Sequence, residues 1–226
     1  VVVSFAAESH VDNSILSARE FIQTNVAGTE VVLRCIRDLK IAKLIHISTD
    51  EVYGSLLHPL EASEESKFEP NSPYSSSKAA GDMFCHSHFI TYNTSVVIIR
   101  GSNAYGPRQH PEKFIPKSVT NLLLDKKIGI YGKGENIREW IYVEDFCSGV
   151  DTIINFGKIG EAYNLGGGIS NRLNNNMIAK TLCSYFNRSP ENYIKYIEDR
   201  KGHDLRYALD SKKLKNLGWK PKFTLE

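Results

Sequence analysis

Three short apolar runs, set apart by helix-patterned stretches, constrain this chain more than any other feature. Val1–Ala6, Lys43–Ser48 (K-L-I-H-I-S) and Ser95–Arg100 (S-V-V-I-I-R) read as strands. Between them, Ile15–Leu39 brings Phe21, Val26, Val31 or Val32, Cys35 and Leu39 near helical spacing. Pro73–Tyr92 is a second helix, with proline near the first turn, where its missing N–H costs nothing. The stretch 54–72, rich in Glu, Ser and Pro, is a loop. A β-α-β-α-β order of this kind predicts a parallel sheet with crossover helices.

After Pro107 the rhythm loosens. The patterns predict helices over Phe114–Lys127, Glu144–Phe156, Asn174–Asn187 and Ser211–Leu217, the last ended by Gly218. They predict strands over Ile128–Tyr131, Glu139–Val143, Ala162–Leu165 and Tyr193–Glu198. Asn171–Asn176 reads as a loop and helix cap, and there is no internal repeat.

Composition narrows the function. The 226 residues are 41% hydrophobic and 24% charged, enough for one large or two modest cores. A net charge of +2 gives no bulk attraction to nucleic acid or to a charged membrane surface. No apolar run approaches the ~20 residues that span a bilayer. Cys35, Cys85, Cys147 and Cys183 lie far apart, form no C-x-x-C pair and have no histidine at zinc spacing. No metal site is expected. The thiols read as reduced and mostly buried, in a cytoplasmic protein. Val1–Ala7 has no initiator Met or basic segment ahead of it, so it reads as a strand cut at its start, in a fragment, and not as a signal peptide.

Two motifs carry chemistry. Thr49-Asp50-Glu51 closes the second apolar run, at the strand edge where open α/β sheets bind ligands. Two adjacent carboxylates there divide naturally into a protonated acid and an ionised base, although a turn Asp followed by an exposed Glu would look the same. Tyr74 and Lys78 share one helix face. An ammonium beside a phenol favours phenolate, which can take a hydroxyl proton while hydride leaves the adjacent carbon. Y-x-x-x-K is also a common surface spacing. Its place after a strand and a polar loop, among Ser76, Ser77, Ala79 and Ala80, gives it weight.

Lesser signals surround these. Small residues in Ala6-Ala7-Glu8-Ser9-His10 would let a flat cofactor lie close to the backbone. Arg100–Pro107 reads as a turn, with Asn103 free to donate to phosphate. Lys113, Arg138, Arg200 and Arg206 are scattered cations able to clamp a diphosphate, or to serve as surface ion-pair partners. No G-x-G-x-x-G follows a strand, and Gly132-Lys133-Gly134 and Gly166-Gly167-Gly168 have the wrong spacing.

Together these passages resemble the extended short-chain dehydrogenase/reductase superfamily, and within it nucleotide-sugar 4,6-dehydratases of the dTDP-glucose type. The resemblance runs from Ala6 to about Pro221, through A-A-E-S-H-V-D-N-S-I (6–15), S-T-D-E-V-Y-G (48–54), N-S-P-Y-S-S-S-K-A-A (71–80), S-N-A-Y-G-P-R-Q-H-P-E-K-F-I-P (102–116), Y-G-K-G-E-N-I-R-E-W-I-Y-V-E-D (131–145) and G-H-D-L-R-Y-A-L-D (202–210). Epimerases of the superfamily carry small residues at the Asp-Glu pair, and decarboxylases Ser-Glu.

The resemblance implies an α/β fold, a Rossmann-type doubly wound parallel sheet formed by 1–106 and 140–168. A smaller α/β substrate domain would comprise 107–139 and 169–226. It implies NAD as cofactor, a nucleotide-sugar substrate and a homodimer packed through helices 15–39 and 73–92. The catalytic set it implies is Thr49, Asp50, Glu51, Tyr74 and Lys78. NAD would be bound by Phe5, Ala6, Ala7, Glu8, Ser9, Thr24, Tyr74, Lys78 and Ala104. Substrate would be bound by Ser9, Thr49, Asn103, Lys113, Phe114, Gly129, Ile130, Tyr131, Arg138, Arg200, Lys201, Gly202, His203 and Asp204. The family has Pro where this chain has Lys201, and an asparagine that falls on Leu173 or Asn174. It places the phosphate-binding glycine loop upstream of Val1, so this stretch alone is expected to bind NAD weakly.

Overall fold

The computed structural model describes residues 1–225. Four parallel strands, β1 (Val2–Ser4), β2 (Leu44–Thr49), β3 (Val96–Gly101) and β7 (Ala162–Leu165), lie side by side in the order β1-β2-β3-β7. The register pairs Thr49 with Gly101, so β2 and β3 end together and their outgoing chains open one crevice.

Alternation along the strands covers both faces. Leu44, Val96 and Ile98 meet Leu33, Ile36 and Cys85 from two helices on one side. Ile45, Val97 and Ile99 meet Phe146, Val150 and Ile153 of the Val143–Phe156 helix on the other. Burial on both faces is why these strands read as continuous apolar runs. Each such side chain contributes about 1.5–3 kcal/mol relative to exposure.

The Pro73–Tyr92 helix matches its predicted bounds because its ends are chemically marked. Ser72 accepts from Ser75 N (3.0 Å) and Ser75 Oγ accepts from Ser72 N (3.0 Å), a reciprocal capping box with Pro73 just inside. Asn93, left-handed at φ 56°, ends it.

The predicted Ile15–Leu39 helix is instead two. Val11–Leu16 is separate, and Ser17 is extended with its hydroxyl on Glu20 (2.6 Å). The chain then runs through Arg19–Phe21, a π-helical turn Ile22–Ala27 and Gly28–Asp38. At the π turn the buried Asn25 side chain reaches out to Glu8 (both bonds 2.9 Å) and Ser77 (2.9 Å), while Thr29 Oγ1 donates to the Asn25 carbonyl (2.7 Å).

Beyond the crevice lie smaller sheets. β4 (Asn103–Tyr105) pairs parallel with β6 (Ile137–Tyr142), which pairs antiparallel with β8 (Arg172–Asn174). β5 (Ile128–Tyr131) pairs with β9 (Ile194–Ile197), and the helices Phe114–Leu123 and Asn175–Tyr185 pack on them around Leu122, Ile128, Ile130, Ala179 and Cys183. β4 and β8 lie where a turn and an Asn-rich loop were predicted. Three-residue strands are too short to show alternation. Leu214 and Trp219, near the end of the chain, return to the core beneath β3 and β7. Cys85 and Cys183 are buried, whereas Cys35 and Cys147 are exposed; all four are free. Among the described residues no helix is long and apolar enough to cross a membrane.

Candidate functional site

Thr49 leaves β2 in extended conformation and caps a 3-10 turn, Asp50–Tyr53, its hydroxyl accepting from Glu51 N (3.3 Å). The sharp turn sets both carboxylates at the crevice. Across it β3 ends at Gly101, where a Cβ would meet the Phe146 ring at 2.5 Å, so glycine lets that ring close the wall. The capped helix brings Tyr74 in from the side, with Phe21 edge-on to its ring at 6.3 Å.

These residues enclose an inner chamber of about 280 Å³, lined by Ser9, Thr49, Asp50, Glu51, Tyr74, Ser102, Asn103, Ala104, Gln109, Lys113, Trp140 and Phe146 among others. It shares Ser9, Glu51, Asn103 and Lys113 with an outer cavity of about 400 Å³, which adds Phe114, Gly129, Tyr131, Arg138 and Arg200. A further cavity, about 450 Å³, lies behind the sheet and contains none of the expected site residues.

Electrostatics separates the two carboxyls. Asp50 is 3% exposed; Oδ1 accepts from Thr49 Oγ1 (3.2 Å) and Oδ2 has no partner. Burial pushes its pKa well above the ordinary range, and the neighbouring Glu51 and Glu139 carboxylates push it further. Glu51 is also raised by burial, with Arg138, Arg200 and Lys113 opposing the rise and the Asp204 carboxylate adding to it. Asp50 is thus the member of the pair held further towards the neutral form.

Tyr74 departs from expectation. Lys78 is 4% exposed and its Nζ donates to the Ile47 carbonyl (2.7 Å), so its charge is spent on a strand end and not on the phenol. Burial therefore raises the phenol's pKa, Glu51 and Asp50 add to the rise, and only the Thr49 hydroxyl opposes it. A phenolate here needs a positive charge brought in by a ligand.

The expected residues do not all line the cavities. Thr49, Asp50, Glu51, Tyr74, Ser9, Asn103, Ala104, Lys113, Phe114, Gly129, Tyr131, Arg138 and Arg200 line the joined cavities. Phe5, Ala6, Ala7 and Glu8 lead from β1 towards Ser9, held by Asn25; Phe5 is 58% exposed. Ile130 points into the small-domain core at 1% exposure. Lys201–Asp204 do not line the cavities: Asp204 accepts from Asn71 and Tyr207 (2.7 Å each), and its carbonyl accepts from Arg138 (3.0 Å), positioning that guanidinium. Thr24 is half-buried in the π turn.

Sequence reasoning missed Gln109, Trp140, Phe146, Asn175 and the cations Lys117, Lys127 and Lys195, all of them lining residues. It also missed Glu139, which is fully buried between Gly168 N (2.9 Å), Leu209 N (3.0 Å) and Arg172 Nε (2.7 Å). The asparagine sought at Leu173 or Asn174 has its nearest cavity-lining counterpart in Asn175; Asn174 caps a helix by accepting from Met177 N (2.8 Å).

The chamber suits a ligand rich in hydrogen-bonding groups. Asp50 Oδ2, Ser102 Oγ, Asn103 Oδ1, Gln109 Oε1 and Trp140 Nε1 are buried there without protein partners. That surplus, beside a tyrosine on a Tyr-x-x-x-Lys helix, fits the amide and ribose of a nicotinamide next to a sugar. No glycine-rich dinucleotide loop occurs in the sequence.

Sheet, crevice and helix define a protein of the short-chain dehydrogenase/reductase class. A family model described as GDP-mannose 4,6 dehydratase matches residues 1–226, and the chain belongs to this family of NAD-dependent epimerases and dehydratases, which includes the dTDP-glucose 4,6-dehydratases. It is 44% identical over 226 residues to the low-salt glycan biosynthesis protein Agl12 of Haloferax volcanii, covering 100% of this chain and 72% of that one. It is 43% identical over 221 residues to the dTDP-glucose 4,6-dehydratase of Streptomyces griseus, covering 97% of this chain and 66% of that one. The crystal structure of DesIV, a dTDP-glucose 4,6-dehydratase from Streptomyces venezuelae with NAD and TYD bound, superposes with a TM-score of 0.95 at 44% identity, over 99% of this chain and 68% of that one. The chain thus spans about two thirds of the length of these relatives.

Proposed function

We propose that the whole protein is a nucleotide-hexose 4,6-dehydratase acting on dTDP-glucose, with UDP-glucose the alternative donor. One observation carries the reading: a neutral-leaning carboxyl and a cation-faced carboxylate stand side by side at a chamber that also holds a Tyr-x-x-x-Lys tyrosine. Redox chemistry alone does not require that pair.

NAD, when bound, would supply a hydride acceptor for carbon 4 and a hydride donor for carbon 6. Phe5–Ser9, Thr24, Tyr74, Lys78 and Ala104 would hold it, its positive ring offsetting the raised phenol pKa. Tyr74 takes the proton of the sugar 4-hydroxyl. The resulting ketone acidifies carbon 5, whose proton goes to Glu51. Asp50 gives its proton to the departing 6-hydroxyl, which leaves as water. Glu51 then returns its proton to carbon 5. Each cycle thus leaves one proton gained at Tyr74 and one lost at Asp50. Thr49, in contact with both, joins the two sites. Lys113, Arg138 and Arg200 would hold the diphosphate in the outer cavity.

The test is to incubate the whole protein with NAD and each donor and read the alkali-induced ultraviolet absorbance of a 4-keto sugar. Glu51→Gln is expected to lower that signal ~10²–10⁴-fold. No 4-keto product from either donor, with Glu51→Gln matching the wild type in every sugar-nucleotide reaction, would reject the reading. An interconverted sugar epimer as sole product would make the protein an epimerase.

The two-domain division at 106/107, 139/140 and 168/169 belongs to the same proposal, as does a cytoplasmic location suited to free thiols. So does a homodimer. Ile22 and Val31 on one helix and Met83, Phe84 and Ile90 on the next are exposed apolar side chains that a second copy would cover. Gel filtration of the whole protein as a monomer would count against it.

A further inference from the structure

The chain doubles back after β4. Gly106, Pro107 and Arg108 make the turn, Arg108 in the left-handed region at φ 67°, and Gln109 N–H donates to the Gly106 carbonyl (3.4 Å). This returns the Gln109 side chain to β4, where Nε2 donates to the Ala104 carbonyl (2.8 Å). A carbonyl can only accept, so the contact decides which way the amide faces: Nε2 towards β4, Oε1 away from it. Oε1 is buried without a protein partner, and Gln109 lines the inner chamber. A buried acceptor of this kind calls for a donor from a ligand.

The class of ligand follows from the end of the chamber that Gln109 occupies. The outer cavity joins the inner chamber through Ser9, Glu51, Asn103 and Lys113. Gln109 is not among the residues they share; nor are Gly101, Ala104, Trp140 and Phe146, which line the inner chamber with it. The Phe146 ring packs against Gly101, and the Phe5 ring stands 6.3 Å from it. This end is flat and largely apolar. Its buried polar points without protein partners are the Trp140 indole N–H, the Ser102 hydroxyl and the Gln109 oxygen. A hexose carries hydroxyls around its whole rim. A planar aromatic ring bearing a single primary amide matches the surface better.

We propose that Gln109 is a cofactor-binding residue: its Oε1 accepts from the carboxamide N–H of a nicotinamide and so fixes how that ring is turned in the chamber. The inference rests on the part of the proposed function that puts NAD here, and not on which sugar is bound. The Ala104 carbonyl and the turn at 106–108 act on the ring only through Gln109, by holding its amide in one orientation. Asn103 offers no such selectivity. Its Oδ1 is also buried and unpartnered, but it lines both cavities and faces the route of the nucleotide sugar.

The experiment is calorimetry on the whole protein freed of coenzyme, comparing NAD⁺ with 3-acetylpyridine adenine dinucleotide. The analogue keeps the carbonyl and has a methyl group in place of the amide nitrogen. Wild type is expected to bind it about fivefold or more weakly than NAD⁺, because Oε1 is left facing a methyl. In Gln109→Leu the affinity for NAD⁺ falls and that for the analogue does not, bringing the two Kd values within about twofold of each other. If Gln109→Leu does not fold, Gln109→Met gives the same comparison with a flexible side chain of similar length. A wild type that binds both coenzymes equally overturns the proposal. So does a variant that weakens both alike and leaves their ratio unchanged, the mark of a loosened turn. A variant that keeps the ratio but loses affinity for dTDP-glucose overturns it too, since Oε1 would then face the sugar. The measurement needs no turnover. A protein that shows the ratio and its loss in the variant, yet makes no 4-keto product, refutes the proposed function and supports this inference; a wild type that binds neither coenzyme refutes both.

Discussion

Asp50 and Asp82 are both buried aspartates near the same strand, and they are managed in opposite ways. Asp82 sits behind the sheet with Arg100 at 2.9 Å, and the arginine offsets much of what burial costs. Asp50 sits at the crevice with one hydroxyl contact, one unpartnered oxygen and two carboxylates nearby. A paired carboxylate behind the sheet organises structure. An unpaired one at the strand ends is pushed towards its protonated form. Sequence neighbours alone do not distinguish them; partners do.

Breaking the pair should have the largest effect on stability. Arg100→Met leaves Asp82 buried without its counter-ion, and removing one member of a buried pair costs about 3–5 kcal/mol. Urea unfolding at pH 7.5 measures it. A loss below about 1 kcal/mol would mean that water reaches Asp82 and that the two aspartates differ less than their contacts indicate.

His46 tests the same region by pH. Its folded pKa is about 3 against an ordinary 6.5, so the unfolded chain binds a proton there that the folded one refuses. That contribution is intact above pH 6.5 and is lost as pH falls towards 3. Between pH 7.5 and 5 it amounts to about 2 kcal/mol. His46→Leu should remove that part of the acid sensitivity. If the difference between pH 7.5 and 5 is the same in both proteins, His46 is protonated in the fold and pairs with Asp82, 3.7 Å away.

How far these contrasts were legible from sequence depends on the range of the interactions. The large sheet showed itself because burial on both faces leaves continuous apolar runs such as Val96-Val97-Ile98-Ile99. The Pro73–Tyr92 helix showed itself through a local signal, Pro73, and the caps that the structure adds at Ser72 and Asn93 are local as well. The acidic doublet and the tyrosine were visible as motifs. What escaped depends on contacts across the chain. Glu139 lies against Arg172 and Leu209, 33 and 70 residues away, and nothing near it in sequence marks it as buried. The clamp on Asp82 joins positions 18 residues apart on a helix and a strand. The partner of the Lys78 ammonium was hidden for the same reason. Its helical spacing to Tyr74 is a local fact, but the Ile47 carbonyl that holds it lies 31 residues upstream.

The smallest effect sharpens the comparison most, because its sign is opposite to that of Arg100→Met. Asp50 has a folded pKa above its unfolded value, so its contribution to stability is full below the unfolded pKa and is lost as pH rises through the folded one. At pH 8 the folded state must hold either a buried charge or a proton the solvent would take. Asp50→Asn keeps the shape and removes that conflict, at the expense of the acid in the proposed dehydration. The variant should therefore be more stable than wild type at pH 8 by about 0.5–2 kcal/mol, a gain that shrinks towards zero near pH 4, while yielding little 4-keto sugar. Thermal unfolding at the two pH values decides it. An Asp50→Asn protein less stable than wild type at pH 8 would mean that Asp50 is ionised and compensated in the fold, and that it is a structural carboxylate like Asp82.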